Sequence, residues 1–70
     1  MERKAVHSRD IAIVGFDPGT SILEIAFRSG GVYHYKGVTE GIYQDFMSAP
    51  SKGTFFQEKI RGKYASKKIH

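Results

Sequence analysis

The sequence predicts an α+β fold, in which a three-stranded antiparallel β-meander is followed by two short helices packed on one face of the sheet. Three observations predict it. Apolar and polar residues alternate in the first half of the chain, with the period of two that is typical of strands. Turns that contain glycine or proline separate these runs. In the second half, apolar residues recur every three or four positions, which is the helical period.

The first strand is predicted over residues 11–16, after a polar segment, residues 1–9, that is expected to be flexible. Both alternating sets of this strand are apolar, so we expect it at the centre of the sheet or covered on both faces. Residues 17–20 (Asp-Pro-Gly-Thr) are typical of a tight turn, because proline presets φ at the second position and glycine accepts the third. This loop places Val14 opposite Leu23 on the buried face.

The second turn decides which side chains of the following hairpin are buried. A three-residue loop, Ser29-Gly30-Gly31, pairs Phe27 with Tyr33 and puts Tyr33 and Tyr35 on the buried face. A two-residue Gly30-Gly31 loop instead sets His34 beside Phe27 and turns the tyrosines outward. The three-residue loop is preferred, since glycine supplies the positive φ that it needs. The opposite, solvated face is then expected to carry Glu24, Arg28, His34 and Lys36.

Helix signals follow the hairpin. Thr39 is a suitable N-cap for the first helix, which Pro50 ends, and Ser51 is a suitable N-cap for the second, which is predicted to end near Gly62. Residues 65–70 are expected to form a basic flexible tail. The predicted core comprises Val14, Phe16, Leu23, Ile25, Phe27, Tyr35, Ile42, Phe46, Phe56 and Ile60.

The composition excludes several classes of function. With 70 residues and no cysteine, the chain is expected to be one small domain without disulfides or thiolate metal sites. The three histidines are scattered, so no metal or other cofactor is expected, and no nucleophile or acid–base pair indicates an enzyme. No apolar run is long enough for a membrane span and no signal peptide is recognisable, so we expect a soluble, cytoplasmic monomer.

The distribution of charge favours a polyanion as partner. The net charge is +4, and the stretch from Lys59 to His70 contains five Lys or Arg residues and no acidic residue. The alternative is that this basic end only aids solubility. Tyr33 and Tyr35 either stack bases beside these cations or pack in the core. The candidate nucleic-acid-binding residues are Arg28, Tyr33, Tyr35, Lys36, Lys52, Phe55, Lys59, Arg61 and Lys63.

The order of residues from about 6 to 64 resembles the KTSC domain, which occurs at the C-terminus of some lysyl-tRNA synthetases and as free-standing bacterial proteins. Its Tyr-x-Tyr centre corresponds to Tyr33 and Tyr35. The chain departs mildly from the family at Thr39, where proline is frequent, and at Gln57, where asparagine is frequent. The other matching residues are Ser8, Ile11, Val14 to Asp17, Leu23, Phe27, Gly31, Val32, His34, Gly37, Val38, Tyr43, Phe46, Ala49, Ser51, Gly53, Phe55, Phe56, Ile60 and Tyr64.

The resemblance implies a single KTSC-like domain over residues 10–64 with no established activity. The link to a tRNA-charging enzyme implies RNA as partner, either tRNA or another structured RNA, and this is an argument by analogy. The alternative is a protein–protein interaction module that uses an exposed sheet edge or an aromatic patch. Salt distinguishes the two hypotheses, because phosphate contacts weaken steeply with ionic strength and edge pairing does not.

Overall fold

The computed structural model describes all 70 residues and has an α+β fold. One antiparallel sheet contains five strands in sequential order, and two helices lie between the fourth and fifth strands. The strands are β1 (Glu2–Ala5), β2 (Ile11–Asp17), β3 (Ile22–Phe27), β4 (Val32–Lys36) and β5 (Ala65–Lys68). Helix α1 spans Glu40–Ser48, and helix α2 spans Lys52–Phe55 and continues as a π-helical turn over Phe56–Ile60.

The predicted three-strand sheet is wrong, because both ends of the chain that were expected to be flexible form strands. β1 pairs with β2, and β5 pairs with β4, so the folded unit extends beyond residues 10–64 at both ends. Every residue of β1 and β5 is exposed. An edge strand exposed on both faces is held by backbone hydrogen bonds and needs no apolar alternation, which is why the hydrophobic pattern does not reveal it.

Both predicted turns exist but are displaced by one residue. The second loop is Arg28-Ser29-Gly30. The last position of such a loop needs a positive φ, and Gly30, with φ 113°, occupies that position. Tyr33 therefore lies opposite Ile25 instead of Phe27.

The first loop is displaced by one residue in the opposite direction, to residues 18–21, so that Val14 lies opposite Ile25 instead of Leu23. The carboxylate of Asp17 accepts a hydrogen bond from the Gly19 N–H at 3.0 Å, and Ser21 adopts φ 57°. A displaced loop of unchanged length moves the pairing by two residues, so the predicted face assignments survive.

The core lies between the sheet and the helices. Eight of the ten predicted core residues are buried, whereas Phe27 and Ile42 are only partly buried. Ile11 joins the core because the β2–β3 pairing shifts between Ile11 and Ile13, which returns Ile11 to the buried face. The buried apolar residues are Val6, Ile11, Val14, Phe16, Leu23, Ile25, Tyr35, Val38, Phe46, Phe56 and Ile60.

The helices begin at the predicted caps. The Thr39 hydroxyl accepts a hydrogen bond from the Ile42 N–H, and the Ser51 hydroxyl accepts one from the Thr54 N–H, each at 3.2 Å. Aromatic rings join the helices to the sheet: Tyr43 stacks on Phe16 with centroids 4.7 Å apart. No helix is long and apolar enough to cross a membrane.

The helices occupy only one side of the sheet, so its two faces differ. We call the side beneath the helices the covered face, which includes Val14, Leu23, Ile25 and Tyr35, and the other side the open face, which includes Ile13, Glu24, His34 and Lys67. Directly opposite residues share a face, so each candidate site residue on a strand can be assigned to one side.

Candidate nucleic-acid interface

The two motif tyrosines lie on the covered face, at the side of the sheet next to β5. Tyr35 is 5% exposed, and its ring meets Phe56 edge to face at 5.6 Å. Tyr33 is partly buried, packs edge to face against Phe27 at 5.7 Å, and stacks on Tyr35 at 6.4 Å. Tyr35 is therefore a core residue with no ring face available to a base, whereas part of Tyr33 reaches solvent.

Charge around the tyrosines comes from the segment after the π-helical turn. Burial raises the pKa of the Tyr35 hydroxyl, the neighbouring Tyr33 raises it further, and the cation of Arg61 opposes both. Arg61 is exposed, so its guanidinium reaches solvent while its charge still acts on Tyr35. Its Nη1 also donates a hydrogen bond to the Gln57 side-chain oxygen at 3.0 Å.

Strand β5 brings a second cation to Tyr33. Tyr33 and Lys68 lie directly opposite each other, so both side chains are on the covered face, and Lys68 is fully in solvent. Tyr64 is partly buried and packs against the core just before β5. We call these residues the tyrosine rim: Tyr33, Arg61, Tyr64 and Lys68.

The remaining candidate residues are dispersed. Lys36 lies on the open face, opposite Ala65, while Lys59 and Lys63 are exposed along the segment that leads to the rim. Phe55 packs on Phe46 at 5.5 Å and is partly buried.

Two candidate cations make contacts within the chain. Arg28 was expected on the solvated sheet face, but it lies in the β3–β4 loop, where its guanidinium donates hydrogen bonds to the Ser8 carbonyl at 2.7 Å and the Val6 carbonyl at 3.3 Å. The Lys52 ammonium donates to the Ala49 carbonyl at 3.3 Å. Arg28 therefore ties the N-terminal segment to the hairpin, and Lys52 supports the end of α1.

The open face holds a buried carboxylate that the sequence analysis places in solvent. Glu24 is only 7% exposed, because Arg3 reaches across Gly15 to form an ion pair with it and His34 Nε2 lies 2.8 Å from its other oxygen. The hydrogen bond from Arg3 lowers the pKa of Glu24 to about 2, with a further contribution from His34 and against the opposing effect of burial. This network binds β1 to the centre of the sheet.

A polar groove of about 620 Å³ separates the loop after β1 from the start of α2. Ser8 accepts a hydrogen bond from the Ile11 N–H at 3.4 Å, and Ser51 caps α2, so both hydroxyls support the backbone. The groove has no apolar lining and mixes both signs of charge, unlike the tyrosine rim. Its lining residues are His7, Ser8, Arg9, Asp10, Pro50, Ser51, Lys52, Gly53, Thr54, Gln57 and Glu58.

The model of the KTSC domain family matches residues 7–64. The chain belongs to the KTSC domain family. This confirms the resemblance predicted from the sequence. A crystal structure of a KTSC domain protein from Yersinia pestis is 48% identical to this chain and superimposes with a TM-score of 0.96, covering 99% of this chain and 97% of that one.

Relatives occur both as small proteins and as parts of larger ones. A protein of Stutzerimonas stutzeri is 34% identical over 61 residues, 87% of this chain and 86% of its own length. The lysine–tRNA ligase of Nostoc punctiforme is 41% identical over 49 residues, which are 70% of this chain but only 9% of the ligase. A KTSC domain is therefore found both nearly alone and as a minor part of an enzyme.

The residues matched by the family model include most, but not all, of the tyrosine rim of this KTSC domain. Tyr33, Arg61 and Tyr64 lie within residues 7–64, whereas Lys68 lies beyond them in β5. Sequence reasoning missed Lys68 because β5 has no apolar alternation, so the last residues resemble a basic tail and not a strand. It also missed Arg3, whose partner Glu24 is distant in the sequence.

Proposed function

We propose that this KTSC domain binds RNA, either tRNA or another structured RNA, at the tyrosine rim. One observation carries the proposal: the partly exposed ring of Tyr33 lies on one face with the exposed cation of Lys68 on the adjacent strand, and a second exposed cation, Arg61, acts electrostatically on the neighbouring Tyr35. A base that stacks on the ring places its own phosphates within reach of such cations, which is the arrangement of stacking platforms in proteins that bind unpaired nucleotides.

The charge of the chain supports the same location. Lys59 and Lys63 extend the positive surface along the segment that carries Arg61, and no acidic residue occurs after Glu58. Such a one-sided cationic surface attracts a polyanion and raises the rate of encounter. Five candidate residues are not assigned to the interface. Lys36 lies on the open face, and Arg28 and Lys52 donate hydrogen bonds within the chain. The rings of Tyr35 and Phe55 are packed against other aromatic side chains.

The ligase relatives support RNA over DNA. The Nostoc punctiforme relative is a lysine–tRNA ligase, whose name specifies tRNA, and a segment homologous to this chain forms part of that ligase. The inference to this chain is an analogy between family members, so the chemistry of the rim carries the proposal.

The experiment is a fluorescence anisotropy titration of a labelled tRNA pool with the full chain at increasing salt. If Arg61, Lys63 and Lys68 each neutralise a phosphate, the logarithm of the binding constant falls with the logarithm of salt with a slope of about −2. Lys68→Gln is expected to weaken binding and to reduce that slope by about 0.7. Tyr33→Leu is expected to weaken binding by about 1 to 3 kcal/mol without changing the slope.

The matched control is the neighbouring residue on the same strand. Lys67→Gln removes the same charge from β5, but Lys67 lies on the open face opposite His34. Equal losses for Lys67→Gln and Lys68→Gln would mean that binding follows net charge and not the rim. No binding at low salt would refute the proposed function altogether.

A further inference from the structure

All three large apolar side chains that are exposed lie on one face of the molecule. Met1, Ile13 and Ile69 are 43%, 38% and 37% exposed. Ile13 is on the open face, since it lies opposite Ala26 and alternates with Val14. A Cβ at Gly15, which is also on this face, would lie 2.8 Å from the Met1 sulfur, so Met1 lies above the same face. Ile69 follows the alternation of Lys67 in β5.

Ile13 and Ile69 belong to an apolar row that crosses the whole sheet, while Met1 lies over Gly15 in the adjacent row. Ala5 lies opposite Ile13, Ile13 opposite Ala26, and Ala26 opposite Val32. The Ile69 N–H donates a hydrogen bond to the Val32 carbonyl at 2.7 Å, which extends the row to the fifth chain segment. Five neighbouring strands place the ends of the row about 19 Å apart. Contiguous exposed apolar surface of this kind is unusual on a soluble domain and marks an interaction site.

The row of residues beside this apolar row, on the same face of the sheet, is mostly charged. It consists of Arg3, Gly15, Glu24, His34 and Lys67, in strand order. Glu24 is buried beneath Arg3 and His34, so its charge is compensated, while Lys67 has no ion-pair partner. Lys36, also on this face, is likewise exposed and unpaired, but it lies one row further from the apolar row, in a row that also contains Asp17. The row that borders the apolar row therefore carries one unpaired cation, Lys67.

We propose that the open face docks a partner protein whose contact surface is apolar and bordered by Asp or Glu side chains. Carboxylates complement Lys67 and, one row further on, Lys36. The open face of a second copy would bring these cations together and would offer them only Asp17, whose carboxylate already accepts the Gly19 N–H. The face carries no Phe, Tyr or Trp, and its one aromatic ring, the imidazole of His34, is hydrogen-bonded to Glu24, so it lacks the set of rings on which an unpaired nucleic acid stacks. This site is separate from the tyrosine rim and does not depend on the proposed RNA binding.

The experiment is a selection of random peptides displayed on phage against the immobilised full chain at physiological salt. Enriched peptides are expected to combine aliphatic residues with Asp or Glu, and one is synthesised as the probe. Ile13→Ser and Ile69→Ser are each expected to weaken its binding about tenfold or more, since each removes an apolar contact. Lys67→Glu is expected to weaken it about threefold to tenfold.

Lys68→Glu is the matched control, because it changes the same charge on the same strand but on the covered face. It leaves peptide binding unchanged if the open face is the site. Thermal unfolding of each variant checks that it is folded, and Lys67→Glu keeps the test valid if Ile13→Ser does not fold.

Four results would overturn the proposal: no enriched peptide, enriched peptides without acidic residues, equal binding to Ile13→Ser, or equal losses for Lys67→Glu and Lys68→Glu. A dimer in sedimentation that Ile13→Ser dissociates would assign the face to a second copy instead. RNA-induced NMR shifts at Ile13 and Ile69, with none at Tyr33, would assign it to nucleic acid.

Discussion

The two faces of the sheet are made by the same strands but differ in what holds them. Val14 and Ile13 are neighbours in β2, yet Val14 is fully buried under the helices and Ile13 is one of the most exposed apolar residues. The covered face is stabilised by apolar and aromatic packing. The open face is stabilised at its centre by a carboxylate between Arg3 and His34. Burial here depends on what packs above a residue and not on its type.

The aromatic residues sharpen this contrast. The Phe and Tyr residues of the strands, Phe16, Phe27, Tyr33 and Tyr35, all face the helices, and the open face has only the imidazole of His34. Only Tyr33, at the side of the sheet next to β5, combines a partly exposed ring with a neighbouring cation. The covered face therefore has a partly exposed ring beside a cation at its rim, and the open face has an apolar row beside the unpaired Lys67.

The largest expected difference between the faces is in stability. Ile25→Ala removes a fully buried side chain from the covered face and is expected to lower the free energy of unfolding by about 2 to 5 kcal/mol. Ile13→Ala makes the same chemical change on the open face and is expected to cost less than about 1 kcal/mol. Urea unfolding of both variants measures the difference. Similar losses for both would mean that the open face is packed against something in solution, such as a second copy.

The covered face could be predicted from the sequence because its signal is periodic. Leu23, Ile25, Tyr33 and Tyr35 were assigned to the buried face, and the structure places them there, although both turns were displaced by one residue. The assignment survives since a loop that moves without changing length shifts the pairing by two residues, the strand's own period.

The edge strands and the open-face network could not be predicted in the same way. β1 and β5 have no apolar alternation, because both of their faces are exposed. The burial of Glu24 depends on Arg3, which is 21 residues away in the sequence, and on Gly15, over which Arg3 passes. Such a contact forms only when β1 pairs with β2 in the observed register, and no local sequence pattern indicates that register. Of the four residues of the tyrosine rim, Tyr33 and Arg61 were among the predicted site residues, whereas Tyr64 and Lys68 were not.

The next largest effect is a dependence of stability on acid pH that belongs to the open face. The pKa of Glu24 is lowered from 4.5 to about 2 in the folded chain, so the folded state favours its ionised form. Its stabilisation is complete above about pH 4.5 and is lost as the pH falls towards 2. Because the Arg3 side chain is 55% exposed, screening reduces the effect, which we expect to be on the order of 2 kcal/mol.

Glu24→Gln tests this assignment by urea unfolding between pH 7 and pH 2. The variant is expected to be less stable than the parent at neutral pH and to lose less stability on acidification, since it has no carboxylate to protonate. Glu58→Gln, on an exposed residue of the π-helical turn, is the control and should retain the parent's pH dependence. An unchanged acid profile in Glu24→Gln would contradict the network.

The smallest expected effects come from a matched pair of strand glycines, one on each face. A Cβ at Gly15 would lie 3.1 Å from Arg3 Cγ, and a Cβ at Gly31 would lie 3.0 Å from Tyr33 Cε1. Neither glycine has a positive φ, so alanine strains neither backbone, and each variant should change the stability by about 1 kcal/mol or less. What differs is which neighbour moves.

Gly15→Ala presses on the Met1 and Arg3 side chains. The shift of Arg3 should weaken the acid-pH dependence attributed to Glu24, while the Tyr33 ring resonances and the RNA affinity stay unchanged. Gly31→Ala presses on the Tyr33 ring, so it should shift those resonances and reduce RNA affinity, while the acid profile remains that of the parent. NMR spectra, acid unfolding and anisotropy titrations of both variants give this crossed comparison. If either glycine changed both readouts, the two faces would be energetically coupled through β2 to β4, and their separate roles would have to be abandoned.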